Sequence, residues 1–410
     1  MRRFVACNIP RIFKMHKADN TSDVLWNSNY LKAWTSNFML FFSFMLLTPL
    51  FPLYLSETFA ADKQMIGFVL SGYTLTALVI RPFSGYFVDS FPRKTVLLIS
   101  YFLLFVIFAG YPLAGSIAFF AVIRTLHGAP FGAATVANST VAIDVLPSSR
   151  RAEGIGYYGL SNNLATAIGP TVALLIYGAS GSYDLLFLLS LVFAGTGFLI
   201  DCTLRMPVRE KVTRPPLSWD RFFLLKGWSN GLCMICFAFS YGVLATYIAI
   251  YGKEELGITG GTGIFFMLFA IGLIISRLTG SRALRKGLIV RNASSGIIVS
   301  LMGYLLFATM HNYAGYYGAA LIIGLGNGHM YPAFQTMFIN LASNDRRGTA
   351  NSTQLVSWDI GVGLGVLFGG MLAEMAGYHA AFWGAFAVNA FGALFYFVHT
   401  RNYFLANRLR

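Results

Sequence analysis

Three ionisable residues, Arg124, His127 and Asp359, each lie inside a long apolar stretch of the sequence. A charge in such a stretch costs about 2.5–3.5 kcal/mol on membrane-insertion scales, so each residue needs a partner or a water-filled cavity. Buried carboxylates and imidazoles can also take up and release protons. We therefore expect His127 and Asp359 to take part in proton coupling, and a purely structural hydrogen-bonding role is the alternative for each of the three residues.

Neutral polar and aromatic residues occur in the same apolar stretches. Residues spaced three and four apart share one helical face, as in the series Arg124, His127, Phe131, Thr135 and Asn138. A pocket for a small molecule is indicated by these polar and aromatic residues: Asn37, Asn138, Tyr158, Asn162, Tyr241, Asn327, Tyr331, Gln335, Gln354 and Trp358.

The composition indicates that lipid is the main solvent of this chain. Of its 410 residues, 56% are hydrophobic and 11% are charged, whereas a soluble domain has about 25% charged residues. Apolar runs recur that can span a hydrocarbon core about 30 Å thick as helices, and they lack the alternation of barrel strands. Twelve membrane helices are predicted: 33–55, 65–88, 95–113, 117–143, 152–178, 183–204, 223–251, 261–281, 289–310, 313–341, 347–373 and 378–399.

The distribution of cations predicts the topology. The formal charge is +14, but the cations are spread over many short loops and form no single basic face, which argues against nucleic acid as a partner. With both termini in the cytoplasm, the outer loops hold only Lys63 and Lys253, as the positive-inside rule predicts. We expect a multi-pass protein of the cell (inner) membrane.

A polar stretch, 205–222, separates six predicted helices from six. Such two-fold arrangements are typical of transporters built from repeats. A shift of 196 positions aligns Arg81 with Arg277, Gly128 with Gly324, Gly132 with Gly328, Arg150 with Arg346, Arg151 with Arg347, and Gly169 with Gly365. The predicted division is an N-terminal segment 1–32, a first bundle 33–204, a linker 205–222, a second bundle 223–400 and a tail 401–410.

The segment GYFVDSFPRK interrupts two apolar runs with charged residues. A carboxylate such as Asp89 can accept hydrogen bonds from the free amides at a helix N-terminus, whose dipole favours an anion. Gly85 would let a neighbouring helix come close, and Arg93 and Lys94 would hold the loop in the cytosol.

This segment resembles the signature loop of the major facilitator superfamily, G-x-x-x-D-R-x-G-R-[KR], at Gly85, Asp89, Arg93 and Lys94. In that family the aspartate meets the start of helix eleven, near Gly348 here, and latches the two halves together. The resemblance implies the same latch in this chain. The corresponding loop of the second half, GSRALRKG, has no carboxylate, so only the first half can supply it.

Two further stretches are similar to patterns of the same family. RTLHGAPFG matches the helix-four pattern R-x-x-Q-G-x-x-x-G at Arg124, Gly128 and Gly132, with His127 in place of glutamine. The family associates this arginine with proton-coupled transport, so the resemblance implies a coupling role for Arg124. ATAIGPTVA retains only Gly169 and Pro170 of the exporter pattern G-x-x-x-G-P-x-x-G-G. The four glycine and proline positions are expected to permit helix packing and bending.

The resemblance implies an all-α membrane protein with two pseudo-symmetric six-helix bundles, and a secondary transporter that works by alternating access. The chain has no GxxxxGK[ST] motif, so a proton gradient is the expected driving force. We expect proton-coupled efflux of a small organic compound by a monomer, with proton-coupled uptake of a sugar, peptide or organic anion as the alternative.

The sequence offers no support for an enzyme. It has no HExxH or GxSxG motif and no paired intramembrane aspartates, which argues against hydrolase and transferase chemistry. Cys233 and Cys236 form a CxxC inside an apolar stretch with no further metal ligand nearby, so packing is expected, and no metal or cofactor is expected.

Overall fold

The computed structural model describes residues 24–61, 63–206, 219–258 and 262–409. The remaining residues include most of the predicted N-terminal segment 1–32 and most of the predicted linker 205–222, which therefore lie largely outside the described chain. The first bundle consists of α1 (Ser28–Leu47), α2 (Phe51–Phe59), α3 (Lys63–Ser90), α4 (Arg93–Gly110), α5 (Ile117–Asp144), α6 (Arg151–Ser180) and α7 (Tyr183–Cys202).

The second half of the chain repeats this arrangement. A short helix, α8, precedes the longer ones, and helix α14 follows them. The elements are α8 (Trp219–Phe222), α9 (Trp228–Glu254), α10 (Thr262–Arg285), α11 (Ile289–Thr309), α12 (Tyr313–Leu341), α13 (Arg347–Phe395) and α14 (Arg401–Asn407).

Local sequence explains where several helices begin. The side chains of Asn27, Ser116, Ser182 and Asn312 each accept a hydrogen bond from a backbone amide in the first turn of α1, α5, α7 and α12. Asparagine and serine are preferred at this position because they satisfy amides that lack an intrahelical partner.

One predicted helix is divided in the structure, and one predicted break between helices is observed as a kink. The predicted first helix, 33–55, is divided into α1 and α2, with Pro52 in the first turn of α2, where proline is tolerated because its missing amide needs no partner. The predicted break between helices 347–373 and 378–399 is observed as a kink at Gly377, where φ is 82°, within the continuous element α13, which ends at Phe395. A positive φ favours glycine.

The helices are long enough to cross a membrane. Nine stretches of the described chain meet both the length and the apolarity required, and one of these, Asn344–Asn407, contains both arms of α13. Helices α3 and α12 have 28 and 29 residues, more than the roughly 20 needed for a crossing. These lengths allow the twelve predicted crossings.

The two bundles meet mainly through two helix pairs, with smaller contacts of α5 with α13 and of α6 with α12. Within the first bundle, α3 packs against α5, and α1 packs against α6 and α7; within the second, α9 packs against α13, and α12 packs against α10 and α11. Between the bundles, α3 contacts α13 and α6 contacts α10. The 196-residue shift relates these two crossings to each other, so the interface follows the internal repeat.

Small residues permit close helix packing inside the bundles. Gly128 and Gly132 on α5 lie against α3, and a side-chain carbon built at Gly132 would come within 3.0 Å of the Ala77 carbonyl oxygen. Gly169 on α6 lies equally close to α1. Pro170 lies inside α6, which continues through it.

Candidate functional site

Asp89 connects the two bundles at one end of the molecule. It lies in the last turn of α3 and is 4% exposed. Its carboxylate accepts hydrogen bonds from the backbone amides of Gly348 and Thr349, at 2.8 Å and 2.7 Å, and from the Thr349 hydroxyl at 2.8 Å. These groups form the first turn of α13, where the helix dipole favours an anion. We refer to this side of the molecule as the Asp89 end.

Gly85 allows this contact by letting α3 and α13 approach each other. A side-chain carbon built at Gly85 would lie 2.7 Å from Ser352 Cβ and 3.0 Å from the Gly348 carbonyl oxygen. Ser352 also donates a hydrogen bond to the Arg81 carbonyl oxygen at 2.5 Å. A larger residue at position 85 would therefore separate the two helices.

A network of ions adjoins Asp89. Asp144, at the end of α5, forms an ion pair with Arg93, and its other oxygen lies 2.6 Å from Arg347 Nη1 in the second bundle. Arg93 also approaches Asp89 at 3.3 Å and donates to the Asn344 carbonyl oxygen at 3.0 Å. Two carboxylates of the first bundle and two arginines, one from each bundle, are thus joined at the Asp89 end.

Arg93 is buried near the end of the segment GYFVDSFPRK. It is only 5% exposed, and Asp144 and Asp89 neutralise its charge. Lys94 is half-buried and donates to the carbonyl oxygens of Cys202 and Leu204, both at 2.8 Å. Lys94 therefore fastens the start of α4 to the end of α7 within the first bundle.

Arg81 on α3 is the partner of Asp359 on α13. The two side chains form an ion pair, and Arg81 also donates to the Leu355 carbonyl oxygen at 3.4 Å. The Asp359 side chain is 24% exposed and that of Arg81 is 9% exposed. This ion pair is a second connection between the bundles, deeper in α3 than Asp89.

Arg124 and His127 lie in an aromatic cage inside the first bundle. The Arg124 guanidinium carbon lies 4.4 Å, 4.7 Å and 5.2 Å from the ring centroids of Tyr73, Phe51 and Phe44. Arg124 is 4% exposed, and its Nε and Nη1 atoms have no hydrogen-bond partner among the described residues. Cation–π contacts of this kind stabilise a desolvated guanidinium.

His127 belongs to the same cage. Its Nδ1 atom lies 2.7 Å from the Tyr111 hydroxyl, and the side chain is fully buried. Phe131, Thr135 and Asn138, which continue the predicted helical face, are also buried. All five side chains of this face are therefore buried in this conformation.

The predicted pocket residues separate into groups. In the first bundle, Asn37 donates to Ser161 Oγ at 2.8 Å and accepts from the Tyr158 hydroxyl at 2.8 Å. In the second bundle, the Trp358 ring lies 5.3 Å from that of Tyr331 and 5.5 Å from that of Tyr241. Trp358, Tyr331 and Tyr241 thus form an aromatic cluster that adjoins Asp359, the next residue of α13.

The other predicted pocket residues are more dispersed. Asn327 accepts from Ser300 Oγ at 3.0 Å, and Asn162 accepts from Thr166 Oγ1 at 3.3 Å. Gln335 donates to Asn351 at 3.4 Å. The remaining two are buried, with side-chain amides that have no hydrogen-bond partner in the described chain: Asn138 and Gln354.

Several residues of the bundle interface were not assigned a role from the sequence. Asn351 Nδ2 donates to Thr140 Oγ1 at 2.9 Å, joining α13 to α5. The other interface residues without an assigned role are Asp144, Arg347 and Arg81. Arg81 could have been identified as a candidate because it is a charged residue inside a predicted helix. Its pairing with Asp359 could not be predicted, because the two residues are 278 positions apart in the sequence.

Comparison with known proteins is consistent with this architecture. The chain is 25% identical over 372 residues to the staphylopine export protein of Staphylococcus aureus, covering 85% of this chain and 90% of that protein. It is 21% identical over 401 residues to the multi-drug resistance efflux pump PmrA of Streptococcus pneumoniae, covering 93% and 98%.

A solved structure has the same fold. The transporter FucP, crystallised in the outward conformation, superposes with a TM-score of 0.75 at 14% sequence identity, over 91% of this chain and 98% of that one. The sequence profile of the Major Facilitator Superfamily matches residues 33–364. The chain therefore belongs to the Major Facilitator Superfamily, whose members are transporters rather than enzymes.

Proposed function

We propose that this protein exports a small organic compound across the cell membrane in exchange for protons, by alternating access. The observation that carries the proposal is the junction at the Asp89 end, where one bundle binds the first turn of α13 in the other. Polar contacts of this kind can form and break as two rigid bundles rock. The names of the two relatives, an export protein and an efflux pump, support outward transport.

The described conformation is closed at the Asp89 end. We infer that this end faces the cytoplasm, because the cations of the chain are concentrated in the loops that the positive-inside rule would place there. Both ends of the described chain lie on the same side: Asn27 Nδ2 donates to the Val145 carbonyl oxygen, and the Leu409 amide donates to that of Asn340. The substrate site would then be open to the outside.

Asp359 is the proposed coupling residue. It is partly exposed and holds Arg81 of the other bundle by an ion pair. A proton on Asp359 would remove its charge and weaken the connection between α3 and α13. Proton binding would therefore favour separation of the bundles at the Asp89 end, which is the step that admits a cytoplasmic substrate.

Arg124 and His127 are proposed to assist coupling from within the first bundle. Their cage touches α1, α3 and α5 through Phe44, Tyr73 and Phe131. A movement of any of these helices would change the surroundings of both side chains. We also propose that residues 205–222 form the linker between the bundles and that the protein acts as a monomer.

Transport direction can be measured in inverted membrane vesicles from cells that produce the protein. We expect proton pumping into the vesicles to drive accumulation of at least one member of a panel of labelled acidic, neutral and cationic organic compounds. A protonophore should abolish the accumulation, and vesicles with Asp359→Asn should lack it. Proton-driven accumulation in right-side-out vesicles instead would establish uptake and overturn the export proposal.

A further inference from the structure

Arg277 is a buried cation with no acidic partner in the part of the chain that the structure describes. It lies within α10 and is 5% exposed. Its Nε and Nη1 atoms have no hydrogen-bond partner among the described residues, and the ion pairs found there involve other arginines. A guanidinium in such surroundings is unfavourable unless an anion neutralises it.

The internal repeat shows what Arg277 lacks. The 196-residue shift aligns Arg81 with Arg277, Leu355 with Gly159, and Asp359 with Asn163. Arg81 binds the Leu355 carbonyl and pairs with Asp359.

Arg277 lies against the corresponding helix of the other bundle. A side-chain carbon built at Gly159 would be 3.0 Å from Arg277 Nη2. One turn further along α6 is Asn163, whose Nδ2 atom is buried and without a partner in the described chain. The crossing of α6 and α10 thus repeats that of α3 and α13, with a neutral amide in place of the carboxylate.

We propose that Arg277 and Asn163 bind a carboxylate group of the transported solute, which takes the place that Asp359 takes beside Arg81. An arginine pairs well with a carboxylate, and an asparagine amide can donate a further hydrogen bond to it, whereas an aspartate at 163 would compete for Arg277. This inference rests on the proposed transport function and specifies its substrate class.

The neighbouring side chains indicate the rest of the solute. Tyr331 interacts electrostatically with both Arg81 and Arg277, and its ring packs on Trp358 at 5.3 Å. Aromatic surfaces of this kind suit an apolar or aromatic body. The chemistry is therefore that of an organic acid with an apolar portion, and a cationic compound would be repelled by Arg277.

The test compares an acid with its neutral amide. Thermal unfolding of the purified protein is followed with 4-phenylbutyrate or 4-phenylbutyramide at equal concentrations. We expect the acid to raise the Tm of the wild type by about 1 °C or more beyond the amide, because a ligand of the native state stabilises it. Arg277→Gln and Asn163→Asp should each abolish the difference, and Arg285→Gln, an exposed cation on the same helix, should preserve it.

A second measurement needs no ligand. Asn163→Asp supplies a counter-ion to Arg277, so the single variant should have a higher Tm than the wild type. Added to Arg277→Gln, the same change should lower the Tm, because the new carboxylate would be buried without a partner. If Asn163→Asp lowered the Tm in both backgrounds, position 163 would not lie close enough to Arg277 to form an ion pair. Equal shifts with acid and amide, or no shift with either, would overturn carboxylate recognition.

Carboxylate recognition and proton-driven export can be refuted independently of each other. Acid-selective binding without any proton-driven transport would refute export and leave the carboxylate site intact. Conversely, proton-driven export of the amide at the same rate as the acid would refute the carboxylate site and leave export intact.

Discussion

At the residue scale, two carboxylates join the bundles in different ways. Asp89 is 4% exposed and accepts three hydrogen bonds from one helix start. The Asp359 side chain is 24% exposed and relies on one arginine. Access to water and dependence on a single partner make Asp359 the better candidate for reversible protonation.

Asp359→Asn tests this assignment. The change removes the charge that neutralises Arg81, and breaking a partly buried ion pair should destabilise the closed conformation by about 1–3 kcal/mol. We expect proton-driven export to be lost while exchange of substrate across the membrane without a gradient continues, because the cycle no longer requires a proton. Both rates are measured in proteoliposomes.

The control for Asp359→Asn is Glu374→Gln, which removes a carboxylate from the same helix outside the bundle contacts described above. It should retain proton-driven export. If Asp359→Asn also retained it, coupling would have to reside elsewhere, with Arg124 and His127 as the next candidates.

At the element scale, the contact between α3 and α13 depends on a glycine. Gly85→Val would place side-chain carbon within 3.0 Å of Ser352 and Gly348 and so force the helices apart. We expect the Tm to fall and thiol reagents to reach the Asp89 end more readily. Gly178→Val is the matched control, because a side-chain carbon there would have no neighbour within 4 Å.

Asp89→Asn tests the latch itself. An amide retains one oxygen acceptor but loses the charge that the helix dipole favours, a loss of about 1–2 kcal/mol. We expect longer distances between spin labels across the Asp89 end. Arg285→Ala, at the repeat-related position of the second half, should leave those distances unchanged; the latch proposal fails if both variants match the wild type.

The sequence predicts the positions of the helices more completely than the contacts between them. Hydrophobic runs locate the helices because lipid requires about 20 apolar residues for each crossing, and the family and fold are confirmed. The contact of Asp89 with Gly348 is observed, and its function as a latch stays a proposal. The pairing of Arg81 with Asp359 could not be read, because nothing in the spacing of residues 278 positions apart specifies which helices cross.

At the scale of the whole molecule, the two crossings of the bundles are related by the repeat but differ in charge. One crossing is closed by Arg81 and Asp359, and the other presents Arg277 beside Asn163. A symmetric pair of ion pairs would hold the bundles equally at both crossings. This asymmetry supports the proposal that one crossing couples protons and the other binds the solute.

Alternating access requires the bundles to separate at the Asp89 end during each cycle. Thr140 and Asn351 lie on opposite bundles there, 2.9 Å apart at their side-chain atoms. In a background with the native cysteines replaced by serine, Thr140→Cys with Asn351→Cys can be joined by a short bifunctional thiol reagent. We expect the joined protein to bind ligand from the outer side but to lose export, with Thr140→Cys alone unaffected by the reagent; full export by the cross-linked protein would contradict rocking of the bundles.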